Sequence, residues 1–224
     1  RRMTYLVAGL MVALLAACAT PNVLARLEMQ GLHAVTVAKG LEFPWSIAFL
    51  PDQTMLVTER PGRMRIIQDD GTLGEPLAGL LPVAEGGEGG LLDVAIDPEF
   101  ATNRLIYWTF SEPAPDKREL RSTAVARGRL VDNRIVDARV IFRQPEKSTE
   151  ESHFGSRLLF GRDGSLYVGL GDRGRRHDAQ RLDSAHGKIL RITKDGGAAI
   201  GNPFLSTPGV LGEIWSLGHR NVQG

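Results

Sequence analysis

The sequence predicts an all-β fold of the propeller type, in which four-stranded sheets recur as blades, and three observations point there. The 224-residue chain is heavily punctuated, with 26 glycines and 12 prolines, which suits short strands and turns better than long helices. Three segments, WSIAFLPDQTMLVTER from Trp45, LLDVAIDPEFATNRLIYWTF from Leu91 and SRLLFGRDGSLYVGLGD from Ser156, share one pattern. Each is an apolar strand, a turn holding aspartate with proline or glycine, then a second apolar strand. Their turn aspartates, Asp52, Asp97 and Asp163, lie 45 and 66 residues apart, close to the ~50-residue repeat of propeller blades. A β-sandwich would repeat its strands every ~8–12 residues without that longer period.

Taken in order, the chain opens with a leader. Arg1 and Arg2 precede an apolar run from Leu6 to Ala17, too short for a membrane-spanning helix of ~20 residues and suited to a signal peptide. The run ends in Leu15-Ala16-Ala17-Cys18, and Cys18 is the only cysteine. This resembles a bacterial lipobox, cleaved before a cysteine that takes a lipid, and Ala19 after it favours the outer membrane. The expected organisation is a signal peptide over 1–17, a tether over 18–30 and the propeller region over 31–224. The chain is then an exported, periplasmic lipoprotein whose contact with a membrane is the anchor at Cys18. Loss of residues 1–17 lowers the 27 basic residues to 25 against 26 acidic ones, a net charge of −1. No basic block remains to favour nucleic acid.

Between the strand pairs lie outer-strand candidates, RMRIIQ (63–68), STAVARGRL (122–130), RIVDARVIF (134–142) and KILRIT (188–193). Asp69-Asp70-Gly71 and Lys194-Asp195-Gly196 supply hairpin turns after two of them. EIWSLGHRNVQG, from Glu213, reads as the opening of a fourth unit. Trp45, Trp108 and Trp215 fall in strand patterns and are expected in the blade core. Arg173, Arg175 and Arg176 read as a solvated charge run, and His33, His186 and His219 as structural.

The stretch SHFGSRLLFGRDGSLYVGLGDRG, residues 152–174, carries two competing signals. GLGDRG has the letters of a dinucleotide loop, but that loop needs a helix behind it, and the adjoining DRGRRHDAQRLDSAHG lacks an apolar helical stripe. It reads as a blade-edge loop. His153, at the head of the stretch, is the alternative carrier of chemistry. No zinc motif and no spaced-aspartate calcium loop is present.

Four segments in order, GLEFPWSIAFLPDQTMLVTERPGRMRII, GGLLDVAIDPEFATNRLIYWTF, HFGSRLLFGRDGSLYVGLGDRG and LGHRNVQG, resemble the soluble glucose/sorbosone dehydrogenase family, and within it the bacterial periplasmic aldose sugar dehydrogenases. The resemblance implies a six-bladed β-propeller that uses pyrroloquinoline quinone (PQQ) and calcium to oxidise the C1 hydroxyl of aldose sugars. It implies that His153 is the catalytic base, that Asp172 orients it, and that Arg220 and Asn221 lie beside the quinone. Arg220 would stabilise negative charge developing there. Glu88 stands where the family commonly has a cofactor-contacting glutamine, and Ser152 where the glucose-specific branch has an aspartate. His177 falls beside the substrate mouth. The family's calcium ligands, largely main-chain carbonyls, match no segment of this chain.

Six blades need ~300 residues, so the expectation is an N-terminal fragment of about three to three and a half blades, inactive alone. Two other readings compete with the dehydrogenase. One is a propeller lipoprotein that binds a ligand or partner without catalysis; the other is a calcium-dependent sugar lactonase. The electron acceptor and the preferred sugar are not legible.

Overall fold

The computed structural model describes residues 33–224. The signal peptide, Cys18 and the tether expected over 18–30 lie outside the described residues. Among the described residues, no helix is long and apolar enough to cross a membrane.

The compact unit from Ala38 to Gly224 is built of antiparallel meanders. The first sheet holds β1 (Pro44–Phe49), β2 (Met55–Glu59) and β3 (Arg63–Ile67). In the second are β4 (Leu91–Ile96), β5 (Leu105–Pro113), β6 (Arg121–Val131) and β7 (Arg134–Arg143). The third comprises β8 (Gly155–Phe160), β9 (Leu166–Leu170), β10 (Lys188–Ile192) and β11 (Ile214–Leu217). These are three propeller blades. One boundary differs from the sequence reading. The segment from Glu213 does not open a fourth sheet: β11 pairs with β10, Lys188 opposite Leu217, and completes the third. A three-strand meander leaves the outer edge of β10 unpaired, and β11 satisfies it. The chain then returns to the opposite edge, where Arg157 Nε of β8 donates to Gln223 O at 2.9 Å.

The turn aspartates work as their type predicts. Asp52 accepts from Thr54 N and Oγ1, and Asp163 from Ser165 N at 3.0 Å, the Asx turns that close β1–β2 and β8–β9. Asp97 does more. It is buried, accepts from Glu99 N just ahead of the short helix α1 (Phe100–Asn103), and receives Lys194 Nζ, from the turn after β10, at 2.8 Å. Burial alone pushes its carboxyl up, but Lys194 and the Glu99 amide outweigh that and hold it below its usual value.

The second sheet is packed on both faces, which explains the unbroken apolar run of β5. Adjacent residues of a strand point to opposite faces. Trp108 therefore enters the core shared with the first sheet, beside Leu56, Met64 and Leu91, while Tyr107 enters that shared with the third, beside Leu158 and Val168. Both are fully buried. The other two tryptophans depart from the core expectation. Trp45 is partly buried beneath the Arg157 guanidinium, and Trp215, on the edge strand β11, is 42% exposed and meets Tyr167 edge to face.

The first strands of the three sheets meet around one buried carboxylate, Asp93 of β4. Its oxygens accept from Ser46 Oγ of β1 (2.5 Å), and from Arg157 Nη1 (3.0 Å) and Leu158 N (2.6 Å) of β8.

Candidate functional site

The β8–β9 hairpin determines where the candidate residues meet. Its register sets Gly155 opposite Leu170, so the residues two beyond each end, His153 and Asp172, face one another. His153 Nδ1 lies 2.7 Å from Asp172 Oδ1. A carboxylate accepts only, so Nδ1 carries the proton and Nε2 presents its lone pair. Asp172 is itself fixed: Oδ1 also accepts from Gly174 N at 3.0 Å, and its own N–H donates to Arg220 O at 2.8 Å.

The backbone at His153 is left-handed, with φ of 55°, a conformation that histidine, asparagine and aspartate adopt more readily than most side chains. Two glycines permit it. Gly155 has φ of 67°, and a Cβ on Gly171 would collide with the His153 carbonyl oxygen. Glu88 secures the same bend from the second blade. Its Oε2 accepts from His153 N at 2.7 Å and from Asn221 Nδ2 at 3.2 Å, while Asn221 Oδ1 accepts from Gly155 N at 2.9 Å.

Five of the candidate residues thus form one connected group: His153, Asp172, Glu88 and Asn221 through side chains, and Arg220 through its carbonyl. The Arg220 side chain is exposed and makes no hydrogen bond or ion pair among the described residues. Asn221 and Glu88 have polar atoms committed to bracing the His153 backbone. Ser152 Oγ is bonded to Glu150 Oε1 at 2.9 Å, not to the base. His177 is exposed, at the start of the short 3₁₀ turn Asp178–Gln180, and its side chain makes no hydrogen bond among the described residues.

Sequence reasoning missed Arg173. Far from a solvated charge, it is 2% exposed, stacked 3.6 Å from the Phe154 ring centroid. Its guanidinium donates to the carbonyls of Ser152 (3.0 Å), Arg121 (3.3 Å) and Glu150. It thereby ties down the segment that carries His153. Burial, with the nearby Arg121 charge, pulls its pKa down to about 10. The available signal was its position next to Asp172, in the turn that follows β9. The dinucleotide alternative is excluded because GLGDRG leads into a turn and three 3₁₀ residues in place of a helix.

The donor set on this side includes the guanidinium of Arg220, exposed and unpaired among the described residues, which suits an anionic group. It does not make a calcium site. Among the described residues, the grouping of three metal-ligating side chains lies elsewhere, at Glu146, Asp178 and His186.

Comparison with known proteins agrees with this architecture. The sequence profile of the Glucose / Sorbosone dehydrogenase family matches residues 41–224. The chain is 43% identical over 187 residues to the aldose sugar dehydrogenase YliI of Escherichia coli K12, covering 82% of this chain and 50% of that protein. Identity to quinoprotein glucose dehydrogenase B of Acinetobacter calcoaceticus is 28% over 231 residues, 92% of this chain and 48% of the relative. The fold superposes on the PQQ-bound aldose sugar dehydrogenase of Streptomyces coelicolor with a TM-score of 0.73 and 33% identity, covering 84% of this chain and 54% of that one. The chain therefore spans about half the length of the curated relatives it matches. By profile, sequence and fold together, it belongs to the glucose/sorbosone dehydrogenase family.

Proposed function

We propose that the protein to which these three blades belong oxidises aldose sugars at C1 to lactones with PQQ as cofactor, and that His153 is the base. The observation that carries this is the Asp172–His153 pair at 2.7 Å, set in a strained backbone that three separate segments hold in place. Strain of this kind persists where the surroundings over-determine it, and functional sites are where it gathers.

The chain's own residues account for half of the reaction. Asp172 fixes the imidazole tautomer and stabilises the imidazolium that forms. His153 Nε2 takes the C1 hydroxyl proton while hydride leaves C1, so two electrons and two hydrogens depart and the carbon becomes a lactone carbonyl. When bound, PQQ would supply the two-electron acceptor that no side chain provides. Arg220 would pair with its negative charge and favour the reduced form electrostatically. Glu88 holds the base through its backbone, and the negative charge it keeps near an anionic cofactor is a cost that glutamine would avoid. The mature protein is proposed to be periplasmic, anchored by lipid at Cys18, with an electron acceptor still to be found.

The test is dye reduction by protein expressed from its complete reading frame, with PQQ, calcium and a panel of aldoses. PQQ-dependent turnover is expected, falling at least about 10³-fold in His153→Asn, a change the left-handed backbone accommodates. PQQ binding, followed by quenching of tryptophan fluorescence, should survive that substitution. Hydrolysis of sugar lactones without dye or PQQ would overturn the proposal in favour of a lactonase. Absence of both activities and of PQQ binding would make this a non-catalytic propeller.

A further inference from the structure

We propose that Glu146, Asp178 and His186 form a binding site for a divalent transition-metal ion of the zinc class, with Arg175 as the resident cation that the metal displaces. The three ligands come from separate segments: the loop after β7, the 3₁₀ turn, and the loop before β10. One ligand atom from each lies within 4.8 Å of the other two. Tetrahedral zinc, at about 2.0–2.2 Å from nitrogen and oxygen, sets its ligands about 3.4 Å apart, so a contraction of at most about 1.4 Å completes the triad. The three residues line a cavity of about 170 Å³.

Acidic side chains alone would not carry this inference; His186 does. It is 3% exposed, its Nδ1 lies 3.0 Å from Ser184 Oγ, and Nε2 has no hydrogen-bond partner among the described residues. A buried histidine that lines the cavity and keeps one ring nitrogen free of protein partners offers a coordination position there, and a neighbour on the other ring nitrogen is the arrangement that orients a metal-bound histidine. The backbone beneath is rigid: Lys188 Nζ donates to the carbonyls of Asp178 (2.9 Å), Ala179 (3.0 Å) and His186 (2.6 Å).

The metal class is set by the donors. Calcium and magnesium take oxygen ligands, whereas imidazole with carboxylates suits zinc and its neighbours. The cluster's present charge balance comes chiefly from Arg175, which pairs with Glu146 and places Nε 3.5 Å from Asp178 Oδ2, with Arg181 Nη1 farther off at 3.9 Å from Asp178 Oδ1. Its side chain is half-exposed and can swing into solvent. None of the three ligands belongs to the group around His153, so this inference stands apart from the proposed reaction.

Titration of the purified, chelator-treated protein with zinc chloride by calorimetry, and with cobalt(II) by visible absorption, tests it. One ion per chain is expected, with the cobalt bands of a four-coordinate site. Glu146→Gln, at an exposed position with no bearing on folding, and His186→Ala should each weaken binding by about 10- to 100-fold. Arg175→Gln should tighten it by about tenfold, because the competing cation is gone. A thousandfold excess of calcium should not displace the zinc. The proposal is overturned if no stoichiometric binding appears, if Glu146→Gln leaves affinity unchanged, if Arg175→Gln weakens it, or if calcium displaces the ion.

Discussion

Two charged clusters flank the loop between β9 and β10, and they are held in opposite ways. Around His153, side chains grip backbone: Glu88, Asn221, Asp172 and Arg173 bind main-chain N–H or carbonyl groups. Around His186 the backbone is gripped by Lys188, while the carboxylates above it face exposed arginines. The first arrangement fixes where one imidazole sits. The second fixes a floor and leaves the charges above it exchangeable. A base must be placed before its substrate arrives, whereas a cation site needs ligands that can close on the ion.

The comparison breaks most completely at Gly171. Gly171→Ala drives a methyl into the His153 carbonyl, and we expect a loss of about 3 kcal/mol in chemical denaturation, together with loss of the His153–Asp172 signature in histidine NMR spectra. The cluster around His186 should keep its zinc affinity in any folded fraction.

Next in size is Lys188→Met, which strands three carbonyls and should cost about 2–3 kcal/mol at pH 7. It also has a pH signature. Burial lowers the Lys188 pKa to about 8, against about 10.4 in an unfolded chain. Between those values the unfolded chain holds a proton that the folded one has released, so folded stability rises with pH. Wild-type protein should therefore gain on the variant as pH climbs from 8 to 10, measured by paired urea melts; a falling difference would reject the buried-ammonium account.

Glu88→Gln sharpens the comparison without breaking it. The amide oxygen can still accept from His153 N–H, so stability should stay within about 1 kcal/mol. Removing the charge should tighten PQQ binding roughly fivefold, about 1 kcal/mol. Unchanged affinity in a quenching titration would show that the carboxylate does not face the cofactor. The smallest effect belongs to Arg181→Gln: its pairing with Asp183 is exposed, and thermal melts should leave the midpoint unchanged.

Legibility in the sequence was limited to what periodicity can encode. Strand pairs and their aspartate turns were readable because alternation and turn chemistry are local, and the β8–β9 hairpin carried His153 to Asp172 by counting alone. β11 was misplaced because a strand's partner is a tertiary fact: EIWSL reads the same whether it opens a sheet or closes one. Arg173 looked like its neighbours Arg175 and Arg176 because charge is written in the sequence and burial is not. Trp215 is exposed because it lies, with Tyr167, on the face of the third sheet that no other described sheet covers. His186 carries no motif, its two partners being 40 and 8 residues distant.

The Asp93 carboxylate, which takes donors from Ser46, Arg157 and Leu158, bears on how such a protein is assembled. Repeated sheets invite the picture of beads on a string, each folding as it leaves the ribosome and then docking on the last. A buried anion shared among three beads does not allow that independence. After two blades it lacks the β8 donors, and a closed core around it would enclose an unsatisfied charge. The third blade thus completes the hydrogen bonding of a carboxylate buried in the second, so the stability of each blade depends on its neighbours.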